Sequence, residues 1–91
     1  MDRNNILKIK KTIVFRKETD EWALLFEPDT GETYALNPIG VIIWKSIDGK
    51  CTINDIIKIV NEKCIDVPSN SDSLIINFLK ILMGNNLIQL I

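Results

Sequence analysis

The stretch Glu27-Pro28-Asp29-Thr30-Gly31-Glu32-Thr33-Tyr34-Ala35-Leu36-Asn37-Pro38 holds a turn, a strand and a helix start in immediate succession. Pro28 presets φ at the second turn position, and Gly31 takes the left-handed conformation that closes a bulged hairpin. Glu32 to Leu36 then reads as a strand. Asn37 caps a helix that begins at Pro38, where a missing N–H costs nothing. Asn37 therefore divides the chain. The hydrophobic period changes there from two residues to that of a helix.

Upstream of the turn, Trp22, Leu24 and Phe26 fall on one face of a strand, and Ala23 and Leu25 on the other. Glu18-Thr19-Asp20-Glu21 is a polar turn before it. Further back, Ile9, Ile13 and Phe15 alternate with Lys10, Thr12 and Arg16, while Lys11 breaks the apolar face and Val14 the polar one. Short connections predict a three-stranded antiparallel meander within residues 6–36.

Downstream, Ile39, Ile43 and Ile47 line a first helix that Asp48-Gly49 ends. Thr52 caps a second, with Asp55 placed for a capping box; Ile53, Ile56, Ile57, Val60 and Cys64 form its core face. Asp66 to Ser71, which includes Pro68, reads as a loop. A third helix runs from about Asn70 to Met83 and stops at Gly84-Asn85-Asn86, so the helices fall within residues 38–85. Leu87 to Ile91 is a short apolar tail with two fits, a strand added to the sheet or an extension packed on the helices. The prediction is one α+β domain over residues 1–91. It is winged-helix-like, a three-stranded antiparallel sheet packed on a three-helix bundle, its second and third helices shaped like a helix-turn-helix.

Composition narrows the function. The 91 residues carry 11 Lys plus Arg against 12 Asp plus Glu, a net charge of −1, which lacks the positive excess of a protein held by phosphate backbones. There is no His, so imidazole triads and His-based zinc sites are excluded. Two Cys without a CxxC pair build no metal cage. No cofactor or metal is expected. An intact second helix sets Cys51 and Cys64 roughly 18–20 Å apart at 1.5 Å per residue, beyond the ~7 Å a disulfide spans. Both read as free thiols, which fits a cytoplasmic setting. No apolar h-region follows Met1-Asp2-Arg3-Asn4-Asn5, and no apolar run approaches the roughly 20 residues that cross a bilayer.

Two features point to binding. On a helical wheel the apolar residues of the third helix sweep roughly 220°, about twice the stripe that packing on one core requires. Two uses fit this excess: a helix sandwiched between sheet and bundle, or a flank of Ile76, Leu79 and Met83 lining an open groove, where flexible Met suits varied ligands. The second feature is the contrast between sheet edges. The first strand carries Lys8, Lys10, Lys11, Arg16 and Lys17, which discourage another strand from adding there. Those cations serve either as a solvated edge or as a dock for an acidic patch on a partner enzyme. Thr33-Tyr34-Ala35-Leu36 contains no Lys, Arg or Pro. An undefended edge beside an apolar helix suits strand addition by a peptide, unless the chain's own tail covers it.

Competing readings have less behind them. A DNA-reading helix presents Arg, Lys, Gln or Asn to the groove, and the third helix offers Asn77 and Lys80, with Asp72 near its start. Asp72-Ser73-Leu74 matches the attachment triplet of acyl carrier proteins but lies late, behind strand-like sequence; capping by Ser71 or Asp72 fits better. Asp55, Glu62, Asp66 and Asp72 show no paired arrangement, so no enzyme activity is expected. Trp22 and Trp44 read as core.

Leu24-Leu25-Phe26-Glu27-Pro28-Asp29-Thr30-Gly31-Glu32-Thr33-Tyr34-Ala35-Leu36-Asn37 resembles the PqqD family's signature, a D-x-G turn followed by an aromatic and Leu-Asn. The similarity continues through Gly40, Ile43-Trp44, Asp48-Gly49, Thr52-Ile53 with Asp55-Ile56, and Gly84-Asn85-Asn86-Leu87-Ile88, from about Val14 to Ile88. The resemblance implies a RiPP recognition element: a domain that binds the leader segment of a ribosomally made precursor peptide and presents it to a modifying enzyme or leader peptidase. It implies that the leader adds as a strand beside the third strand and rests against the third helix. Thr33, Tyr34, Ala35 and Leu36 would then supply backbone bonds. Tyr34 and Leu36, with Ile75, Ile76, Leu79 and Met83, would form pockets, and Asp72 would attract a basic leader residue. Members of this length are similar to the PQQ-pathway peptide chaperone and to the leader-binding subunit of lasso-peptide biosynthesis; the reading leans to the latter. A homodimer through the open edge is a further expectation. Nucleic-acid and membrane partners are not expected.

Overall fold

Asn37 leaves the sheet in extended backbone, and its side-chain oxygen accepts the Gly40 N–H at 2.7 Å, so the strand-to-helix switch falls where the sequence sets it. The structure is a computed structural model that describes residues 2–19, 21–63 and 70–91. Its elements are β1 (Leu7–Ile9), β2 (Val14–Lys17), β3 (Ala23–Glu27), β4 (Glu32–Leu36), α1 (Pro38–Ser46), α2 (Ile53–Lys63), α3 (Ser71–Gly84) and β5 (Ile88–Leu90). The fold is α+β: an antiparallel sheet ordered β2-β3-β4, with three helices. Leu25 stands between Phe15 and Tyr34, and Ala23 opposite Leu36, on the face turned to the core.

Local chemistry builds the turn and the starts of α1 and α2 as expected. By contrast, α3 starts after Asn70 without the side-chain cap expected from Ser71 or Asp72, Ser71 Oγ donating instead to Asn61 Oδ1. Gly31 has φ +78° and donates its N–H to the Glu27 carbonyl at 2.8 Å, closing the bulged hairpin. Thr52 Oγ1 accepts the Asp55 N–H at 3.1 Å and the Asp55 carboxylate accepts the Thr52 N–H at 3.0 Å, a complete capping box. Asn86, not a glycine, takes the left-handed conformation (φ 60°) after α3. Asn tolerates this because its short polar side chain bonds locally.

One predicted strand is two. The alternation read across Ile9 to Arg16 breaks where Ile13 donates its N–H to the Lys10 carbonyl at 3.1 Å, and β1 leaves the meander. It pairs instead with the C-terminal tail, Leu7 opposite Leu90 and Ile9 opposite Ile88, as a separate two-stranded sheet. The off-pattern Lys11 and Val14 are the trace of that break. Leu7, Leu87 and Ile88 are buried, so this small sheet closes part of the core and joins α3.

The core gathers Leu7, Leu25, Leu36, Ile43, Ile53, Ile56, Val60, Leu79 and Leu87 from all the layers. Each fully buried Leu or Ile contributes about 1.5–3 kcal/mol. Ile43, Ile47 and the α2 residues Ile53, Ile56, Ile57 and Val60 bury as expected, while Ile39 at the start of α1 stays exposed. Trp44 is buried. Trp22, expected in the core, is exposed, because the alternation that buries Ala23 and Leu25 turns it to the outer face. Cys64 and the loop from Asp66 lie outside the described residues. Among those described, Cys51 is a free thiol and no helix is long and apolar enough to cross a membrane.

Glu27 is a buried charge that the turn motif conceals. It is 3% exposed, accepts the Asp29 N–H at 3.0 Å, and has Lys10 Nζ 3.2 Å from Oε2, an ion contact rather than an aligned hydrogen bond. The Asp29 N–H, then Lys10, hold its carboxyl below the ordinary range against the opposing effect of burial. This clamp ties the β3–β4 turn to the connection between β1 and β2.

Candidate functional site

The sheet ends at β4 with no strand beside it among the described residues, because the tail has gone to β1. Antiparallel ladders alternate residues that bond the neighbouring strand with residues that bond outward. Counting from the Glu27–Glu32 pair that closes the bulge, the N–H and C=O groups of Thr33 and Ala35 face away from β3. Leu36 and Tyr34 point to the core side: Leu36 is buried, and Tyr34 is half-buried with its hydroxyl donating to the Glu32 carboxylate. That bond to Glu32 raises the Tyr34 pKa, keeping the phenol protonated.

Beside this edge, α1 and α3 leave a cleft of about 200 Å³ lined by Asn37, Ile39, Gly40, Ile43, Leu74, Ile75 and Phe78. Its wall is apolar apart from the capping Asn37. Gly40 allows the close approach, since a Cβ there would stand 3.4 Å from Phe78 Cζ. Along α3, Leu74, Phe78 and Ile81 follow the i, i+4, i+7 spacing of one helix face. Leu74 is 50% and Ile81 61% exposed, an apolar stripe that core packing leaves uncovered.

The structure brings some of the expected residues together and separates others. Thr33 to Leu36 form the free edge, and Ile75 lies in the cleft. Leu79 is buried in the core. Ile76 and Met83 are half-buried and packed against the core; Ile76 lies on the flank of α3 away from Leu74. Asp72 lies 3.3 Å from Arg3 and lines a different, polar cleft with Asn54, Asp55 and Lys58. Ile39, Gly40, Leu74 and Phe78 complete the cleft, and sequence reasoning did not single them out. Their signal was present: Leu74, Phe78 and Ile81 are one end of the 220° arc whose other end is Ile76.

A wider cleft of about 540 Å³ lies between α1 and α2, with Glu21, Lys45, Asp48, Glu62 and Lys63 in its lining. It has no bare strand edge. Its Cys51 thiol is pushed up by burial and then by Asp48, the reverse of an activated nucleophile. Asp48 is occupied accepting the Cys51 and Lys50 N–H groups, each at 2.9 Å. The larger volume therefore carries less functional chemistry than the smaller cleft. No group of three or more metal-ligating side chains occurs among the described residues.

Comparison with known proteins agrees with this architecture. Residues 23–88 match the family model described as Coenzyme PQQ synthesis protein D (PqqD). The fold is similar to a solved structure described as "TbiB1 in Complex with the TbiA(beta) Leader Peptide", with a TM-score of 0.72 and 24% identity, covering 90% of this chain and 94% of that one. No curated protein matches the chain.

Proposed function

The chain belongs to the PqqD family, and from that premise we propose that it binds the leader segment of a ribosomally made precursor peptide by strand addition along β4. The observation that carries the reading is the uncovered edge at Thr33 and Ala35 beside the apolar cleft of α1 and α3. Backbone bonds from these two residues hold an extended guest, and alternate guest side chains drop into the cleft against Ile39, Leu74, Ile75 and Phe78. The similar fold described in complex with a leader peptide supports the same reading. Binding of this kind needs no general acid, nucleophile or metal, so the chain acts as a carrier rather than a catalyst. It presents the rest of the precursor to a modifying enzyme or leader peptidase, most simply within lasso-peptide biosynthesis. The apolar exposed stripe of α3, where a DNA reader presents polar side chains, favours a peptide over a duplex.

Amide hydrogen exchange tests the site directly. Candidate leader peptides, taken from precursor genes neighbouring this one, are added to the full chain. Strand addition slows exchange at Thr33 and Ala35. Tight binding with no protection at these two amides rejects the edge.

A further inference from the structure

Exposed apolar side chains lie on both sides of the β4 edge. The eight large hydrophobics left exposed among the described residues include Val14 (48%), Trp22 (49%) and Phe26 (40%) on the outer face of the sheet. Ile39 and Leu74 border the cleft on the inner side, and Ile81 continues its stripe. The strand-addition reading uses the inner set alone.

Register shows what the outer set faces. Phe26 pairs with Thr33 and Leu24 with Ala35, so large side chains on β3 stand beside small ones on β4. The outer face therefore steps down toward the open edge. A strand added to β4 lies roughly 4.8 Å beyond it, and places every second side chain on this outer face. A long apolar side chain there stands directly opposite the Ala35 methyl, the cross-strand pairing that stabilises sheets, and extends over that small side chain toward Leu24 and, diagonally, Phe26 on the next strand.

We propose that the step formed by Leu24 and Phe26 over Ala35 and Thr33 is a second recognition row, which selects a large apolar side chain at the guest position opposite Ala35. The proposal rests on strand addition and goes beyond it. The guest class becomes an extended segment with apolar residues at both alternating sets, one set in the cleft and one over the step, rather than an amphipathic strand with a polar outer side.

Selection from a displayed library of random twelve-residue peptides, with the full chain as bait, tests this. Wild type should enrich apolar residues in two interleaved sets. The Leu24→Thr/Phe26→Thr variant keeps strand-forming residues on an outward face. It should retain the cleft set, lose the outer one, and bind wild-type-selected peptides about tenfold more weakly. Ala35→Leu fills the step, and should switch the preferred guest residue opposite it from large to small. Identical selections from wild type and both variants, or a single apolar set from wild type, overturn the proposal while leaving strand addition intact. Failure of wild type to select any peptide overturns strand addition and this inference with it.

Discussion

Gly40 of α1 stands against the ring of Phe78 of α3: a Cβ there would meet Phe78 Cζ at 3.4 Å and crowd Asn37 Oδ1 at 3.2 Å. The missing side chain is what leaves the cleft open. Gly40→Ala gains up to about 1 kcal/mol of helix propensity, offset by the small shift that Asn37 must make. Gly40→Leu fills the cleft. Its expected result is a folded protein by circular dichroism whose leader affinity, measured by calorimetry, falls at least tenfold. Undiminished affinity would place the guest's side chains elsewhere.

The outward N–H of Ala35 gives a sharper test of backbone recognition. Ala35→Pro removes a donor that faces away from β3, and edge strands tolerate proline at such positions. Leader binding should disappear while the hairpin remains. Tyr34→Pro removes a donor inside the β3–β4 ladder and should instead lower the melting temperature.

Binding and stability separate along α3. Leu74 is half exposed, so Leu74→Asp should weaken leader binding tenfold or more, about 1.4 kcal/mol, with little change in thermal melting. Leu79 is fully buried, and Leu79→Ala should cost about 2–5 kcal/mol of stability in denaturant titrations. A stability loss at Leu74 as large as that at Leu79 would contradict the exposed stripe.

Glu27 sets an acid-side dependence. Its folded pKa is lowered, so its contribution is complete above the ordinary carboxylate value of 4.5 and is lost as pH falls through the lower folded value. Denaturant midpoints of the wild type should drop across that window. Glu27→Gln, which cannot titrate, should show a flatter profile there and lower stability at neutral pH. Equal slopes for the two proteins would dismiss the clamp with Lys10.

The turn and caps were legible because their chemistry is local. Gly31, Asn37 and the Thr52–Asp55 pair each act on backbone groups within four residues, so residue type and spacing suffice. The split of the first strand was half visible: Lys11 and Val14 spoiled the alternation, but the partner that draws β1 away lies at the other end of the chain. Trp22 was misplaced for a related reason. Alternation groups it with Leu24 and Phe26, yet which face of the strand meets the helices is decided by what packs there.

By itself, the sequence determined the β3–β4 hairpin, the succession of three helices, the position of the strand-to-helix switch and the breadth of the apolar surface on α3. Those properties follow from φ preferences, capping and periodicity, which act between near neighbours. Tertiary structure alone decided that the tail pairs with β1, leaving β4 with no strand beside it among the described residues, and that Leu74 and Phe78 flank the cleft while Ile76 and Met83 pack against the core. Such choices depend on which distant surfaces exclude water from each other, and a helical wheel treats both ends of an apolar arc alike.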